Sequence, residues 1–132
     1  MMTSIKSFDL ATLESICDIL GETNIGLTGT QISKYLAECE ITDPQLSSTK
    51  RKRLYDALLF KQNYDRCSNN ILKFLIHVMR PSRHIQNQDW FNNTRQQLNI
   101  ALSFEGLELT ERGDFKKINQ VKTFSEIGRA HV

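Results

Sequence analysis

A chain of 132 residues carrying 17 Lys plus Arg against 15 Asp plus Glu, for a net charge of +2, is long enough to bury one substantial core. Its charges are too balanced for a protein whose whole surface binds nucleic acid, so any such binding has to come from local clusters. With 39% hydrophobic and 24% charged residues, the composition is that of a globular chain and excludes a disordered one.

The opening MMTSIKSFDL has no signal-peptide apolar run, and no later run approaches the length of a membrane span. A cytoplasmic protein that engages no membrane is expected. Cys17, Cys39 and Cys67 make no CxxC pair, and no His stands at zinc spacing from them. No metal or other cofactor is therefore expected. Cys17 and Cys39 fall on apolar helix faces and read as small core residues in a reducing compartment.

In chain order, Leu10, Leu13, Ile16, Cys17 and Leu20 form one helical stripe. Asp9 is placed as its N-cap and Gly21 as its stop. LTGTQI holds the clearest helix start, with Thr28 as N-cap, Gln31 completing a capping box, and Leu27 and Ile32 as the staple. This second helix ends near Glu40, and a loop forms around Pro44. A third helix is predicted from near Ser47–Thr49 to Lys61 or Gln62. Leu54, Ala57 and Leu58 set its core face, with Tyr55, Leu59 and Phe60 widening it. The fourth, Asn70–Arg80, is apolar nearly all round, as befits the centre of a small bundle, and Pro81 stops it. The fifth spans about Trp90–Glu105, with Asp89 as cap and Phe91, Thr94, Leu98, Ala101 and Leu102 as its stripe. After Gly106, Leu107 to Ile118 alternates as a β-hairpin, with its turn at Glu111–Asp114. The predicted fold is mainly α with a small β component (α+β): five helices and a C-terminal hairpin, loosely winged-helix-like.

Lys50, Arg51, Lys52 and Arg53 sit where the third helix begins. Successive helical residues are about 100° apart, so these cations fan around the axis. Opposite Leu54 the helix offers Lys52, Asp56, Leu59 and Asn63, a poor surface for reading a DNA groove. Cations at a helix N-terminus are unfavourable unless an anion is near, so a phosphate or an acidic partner segment is one reading. A solvated first turn ion-paired to Asp43 or Asp56 is the other. A second basic strip comprises Lys73, His77 and Arg80, followed by Arg83 and His84. It reads as a polyanion or partner contact, or as an ordinary exposed edge with cations near a helix C-terminus. No face pairs aromatics or amides with these cations, so any nucleic-acid contact is expected to be weak and to fall on phosphates. No nucleophile is linked to His77 or His84 by a motif, no carboxylate pair stands out, and no phosphate loop or dinucleotide fingerprint is present.

The last residues, IGRAHV, follow no capping or turn logic. Back-translated as ATC GGA AGA GCA CAC GTC, they match a common short-read sequencing adapter read in frame. The native reading is expected to stop near Ser125, leaving residues 1–125 as a helical N-terminal accessory domain and 126–132 as a non-native tail.

The phrases FDLATLESICDIL, GLTGTQISKYL, TKRKRLYDALLFKQNYDRCSNNILKFL and LNIALSFEGLELTERGDFKKI, in that order, resemble the N-terminal region of the Ymh-like family of prokaryotic proteins. The likeness covers about Met2 to Phe124. It implies a region that precedes a helical domain of the HEPN type, a class associated with ribonucleases in phage defence, toxin–antitoxin and abortive-infection systems. The catalytic pattern of that class separates an Arg from a His by four to six residues. Only three residues separate Arg80 from His84, so the resemblance implies that any nuclease activity lies outside this chain. The expected function is a non-catalytic accessory, sensor or partner-binding domain, truncated before its effector. Its partner would be a protein or its own missing C-terminal domain. The alternative is a DNA-binding transcriptional regulator with a winged-helix-like core.

Overall fold

The computed structural model describes residues 4–44 and 49–127. Ser47 and Ser48, within the expected start of the third helix, lie outside the described residues, as does most of the expected tail, 128–132. Among the described residues the secondary structure is five α-helices, two short 3-10 turns and one antiparallel hairpin. The chain divides into two compact units, Met1–Val78 and Met79–Val132.

The first unit holds α1 (Leu10–Leu20), α2 (Gly29–Glu38), α3 (Lys50–Asp65) and α4 (Asn69–Val78). Asp9 caps α1 by accepting the Ala11 amide, and Leu13, Ile16, Cys17 and Leu20 are buried as the stripe requires. Leu10 is not, being 53% exposed, because it lies at the edge of the stripe, about 60° round the helix from Leu13. Thr28 and Gln31 form the expected reciprocal capping box of α2. That helix stops at Glu38, and Glu40 takes a left-handed φ of 57°. α3 continues three residues beyond Gln62, supported by a Lys61–Asp65 ion pair one turn apart. Arg66, at φ 58°, ends it, returning its N–H to the Gln62 carbonyl. α4 packs on α2 and α3 and buries Ile71, Leu72, Phe74, Leu75 and Val78. It ends two residues before the expected Arg80. A residue preceding proline is pushed out of the helical region, and Arg80 is extended before Pro81.

A buried polar network ties the chain start to the α3–α4 turn. The Gln62 side chain donates to the Phe8 carbonyl at 3.0 Å and accepts the Ser68 hydroxyl at 2.7 Å. The Phe8 amide is shared by Gln62 Oε1 and Ser68 Oγ, at 3.1 and 2.9 Å. The Ser68 amide reaches the Ile5 carbonyl, and Asn69 accepts the Ile5 amide. At the other end of α1, a Cβ on Gly21 would come within 2.8 Å of the Arg51 backbone nitrogen. Helices α1 and α3 therefore lie antiparallel, with contact fixed at both ends.

The second unit holds a 3-10 turn at Pro81–Arg83, α5 (Gln88–Ser103), β1 (Leu107–Leu109) and β2 (Phe115–Lys117). α5 begins earlier than expected. Asn87 takes the N-cap position and Asp89 falls within the first turn, where its charge complements the helix dipole. Its stripe, Phe91, Thr94, Leu98, Ala101 and Leu102, is buried as predicted. The hairpin register sets Glu108 opposite Lys116, and their side chains meet at 2.9 Å. Asn99 treats β1 as a strand would: it donates to the Leu109 carbonyl at 3.0 Å and accepts the Leu109 amide at 2.7 Å. Gly113, at φ 89°, lets the hairpin turn close against Pro81, whose Cδ would lie 2.9 Å from any added Cβ.

Replacing Gln62 with Ala strands the buried Phe8 carbonyl and is expected to destabilise the fold by about 1–3 kcal/mol. Chemical denaturation measures this, with Leu58→Ala as a core reference at about 2–5 kcal/mol. The α1–α2 turn supplies a pH prediction. The Glu22 carboxylate accepts the Ile25 and Asn24 amides at 2.6 and 2.7 Å. These bonds, with the Arg51 and Lys50 charges adding, hold its pKa below the ordinary glutamate value. A depressed carboxylate stabilises the fold above its unfolded pKa, and that contribution is lost as pH falls through the folded value. The Asn24 and Ile25 amide resonances should titrate together in acid, with a midpoint below that of a free glutamate. A midpoint at the free value would show that the turn does not hold the carboxylate.

Candidate functional site

The four cations at the start of α3 have unequal fates. Thr49 caps the helix by accepting the Lys52 amide at 3.2 Å. Lys50 turns back onto the α1–α2 loop and donates to the Leu27 and Thr23 carbonyls at 2.7 and 3.3 Å. Arg53 grips Asp43 through Nε and Nη2 and also donates to the Ser33 hydroxyl at 2.6 Å and the Gly29 carbonyl at 3.3 Å. The Asp43 carboxylate raises the Arg53 pKa further above its ordinary value. Lys50 and Arg53 thus hold the α1–α2 loop, the start of α2 and the segment after it. Arg51 meets Asp18 only at 4.0 Å, with both side chains about half exposed, a pair worth little in water. Lys52 is exposed.

The antiparallel packing explains why cations are tolerated at this helix start. The positive end of α3 lies against the C-terminus of α1, where carbonyls carry partial negative charge. The ion pair to Asp43 is one of the two the sequence suggests. The other, to Asp56, is replaced by the contact of Arg51 with Asp18. Beside this region an open cleft of about 400 Å³ runs between α1 and α3, with Glu14, Cys17 and Asp18 on one wall and Arg51, Lys52, Tyr55 and Asp56 on the other. Burial pushes the Cys17 thiol pKa strongly upward, with Asp18, Asp56 and Glu14 adding to the effect. It stays protonated and is no nucleophile, as its reading as a core residue implies.

The exposed face of α3 differs from expectation. Phe60 is 62% and Tyr64 76% exposed, and their rings stack with centroids 6.4 Å apart. Lys61 Nζ stands 5.3 Å from the centre of the Tyr64 ring. Phe60 does not widen the core face, because two residues on from Leu58 is about 200° around the helix. Tyr55 and Leu59 are half-buried. The face therefore joins aromatics to cations, a pairing that the sequence reading did not find on any face. The signal was present in the i, i+4 spacing of Phe60 and Tyr64 on the side away from Leu54 and Leu58.

The second basic strip is not one helical surface. Lys73 and His77 lie on α4, whereas Arg80, Arg83 and His84 belong to the second unit. Lys73 is exposed. His77 Nδ1 lies 3.1 Å from Glu38 Oε1, linking α4 to α2. Arg80 is exposed, and Arg83 is half-buried in the 3-10 turn. The His84 ring stacks on Trp90, with centroids 5.0 Å apart, and tilts against Phe91 at 5.7 Å. Among the described residues, no group of three His, Cys, Asp or Glu side chains is arranged to hold a metal ion, and no helix is long and apolar enough to cross a membrane.

The cations can be separated by their stability effects. Lys50→Met removes the donor to two loop carbonyls and is expected to cost about 1–2 kcal/mol, within the range for charge-assisted hydrogen bonds. Lys52→Met should stay within about 0.5 kcal/mol of the parent. Equal losses in thermal denaturation would show that Lys50 does not anchor the loop. No protein-family model matches the chain, and neither the curated proteins nor the solved structures include a match to it.

Proposed function

We propose that this chain is a non-catalytic partner-binding module that docks a protein segment on the exposed face of α3. The observation that carries this reading is the stacked Phe60–Tyr64 pair, which leaves two large aromatic side chains in water. Aromatic side chains of this kind are the usual anchors of protein interfaces. Lys61, whose Nζ stands 5.3 Å from the centre of the Tyr64 ring, selects the partner's charge. The complementary segment presents apolar side chains beside carboxylates. The resemblance to the Ymh-like family supports a setting in cytoplasmic prokaryotic defence of the abortive-infection type, with the partner either a separate protein or an effector domain. The engagement of His77 by Glu38, and of His84 by Trp90 and Phe91, supports structural roles for both histidines. The alternative reading, a DNA-binding regulator, rests on the cations and on the loosely winged-helix-like order of helices and hairpin.

Photoreactive phenylalanine placed at position 60 or 64 in the host cell should crosslink to one protein. The linked peptide should be acidic and bear apolar residues, while the same probe at Lys73 should give no such adduct. In the reconstituted complex, Phe60→Ser with Tyr64→Ser should weaken binding by at least about tenfold, the scale of a hot-spot loss. Absence of an adduct at both positions would overturn the docking face. In a parallel titration, tight binding of one short duplex over mixed sequence would establish the regulator instead. A weak, sequence-tolerant contact of three to five phosphates would appear as a log–log salt slope of roughly −3 to −4.5.

A further inference from the structure

The second unit contains a guanidinium that its surroundings do not satisfy. Arg95 lines the floor of an open cleft of about 440 Å³ between α5 and the hairpin. Its side chain is only 17% exposed, and its Nε is buried with no hydrogen-bond partner among the described residues. An arginine side chain brings five N–H donors. Here Nη1 reaches the Leu109 carbonyl at a long 3.4 Å, and Nη2 stands 3.6 Å from Glu111. The Leu109 carbonyl already receives the Asn99 amide at 3.0 Å, so Arg95 is not needed to hold β1. Glu111 is an equally loose partner, since its side chain is 83% exposed.

The other charges around the cleft sort by occupancy. Glu108 is taken by Lys116 at 2.9 Å, whereas Asp114 accepts the Thr110 hydroxyl and keeps its charge in the turn. Arg112 is exposed at the rim. What is left is a nearly buried, underpaired cation with an exposed carboxylate hovering over it as a stand-in acid. A planar guanidinium pairs best with a carboxylate or phosphate that offers two oxygens.

We propose that the cleft between α5 and the hairpin is an oxyanion-binding site, in which Arg95 takes the carboxylate or phosphate group of a ligand and Glu111 is the internal competitor it displaces. Arg112 supplies a second positive charge to the incoming group. The site lies wholly within the second unit and is independent of the α3 docking face.

The test uses the full chain at constant ionic strength. Inorganic phosphate and acetate are titrated separately while the Arg95 Nε–Hε resonance and the Thr110–Asp114 amides are followed by NMR. Saturable shifts at these positions, absent with chloride, are expected for at least one probe. A response to phosphate alone would assign a phosphate ligand, and a response to acetate alone would assign a carboxylate. Glu111→Gln, a change at an exposed side chain, should tighten binding about threefold or more, because the competing charge is gone. Arg95→Lys, checked for an unchanged fold by circular dichroism, should weaken it about tenfold, since a lysine cannot pair through two N–H groups. Linear shifts indistinguishable from chloride, or a Glu111→Gln variant that binds no better than the parent, would overturn the proposal even if Arg95→Lys fails to fold.

Discussion

The first unit depends on one amide side chain. Gln62 is 3% exposed, yet its carbonyl and amino groups are both hydrogen-bonded, to Ser68 and to both polar groups of the Phe8 backbone. A buried polar group without partners costs free energy, and a fully satisfied network instead fixes a geometry. Here it fixes the chain leading into α1 against the turn between α3 and α4. Phe8 is thereby held in the core and Asp9 is set in place to cap α1. The close approach at Gly21 then fixes the far end of the same helix. Between these two points the apolar stripes of α1 and α3 have a single register in which to meet.

That antiparallel register also decides what the basic run can do. Taken alone, four cations at a helix N-terminus oppose the helix dipole and call for an external anion. In the folded chain the opposing partial charges come from the end of α1, from the Thr23 and Leu27 carbonyls that Lys50 bonds, and from Asp43 beneath Arg53. The basic run therefore serves first as an internal clamp. What it leaves outside, Arg51 and Lys52, shares α3 with Phe60 and Tyr64. On the side of the helix away from Arg51, Phe60 and Tyr64 present an aromatic surface with Lys61 beside it.

The second unit applies the same economy with different groups. Asn99 completes the hydrogen bonding of Leu109 as a neighbouring strand would, so a hairpin of three-residue strands is held against a helix. Because Asn99 meets that need, the adjacent arginine one turn earlier on α5 is left over. An underpaired guanidinium beneath a polar loop is the kind of departure from local consistency that accompanies a binding role.

The sequence by itself determined the elements. Periodicity placed all five helices and the hairpin. The Thr28–Gln31 capping box formed as read, and the stripes of α1 and α5 are buried apart from Leu10. These features are local: a cap or a stripe depends on residues within a turn or two of each other. Some boundaries shifted, because Arg66 in a left-handed conformation and Arg80 before Pro81 ended helices where polarity alone does not say. Only the tertiary structure decided which cations are engaged, since the partners of Lys50 and Arg53 lie 10 to 27 residues away in the chain. It also decided that Phe60 faces water, and that Gln62, polar and mid-helix, belongs in the core with its partner Phe8, 54 residues earlier. Such pairings arise from helices meeting in space, and no window along the sequence contains both halves of them.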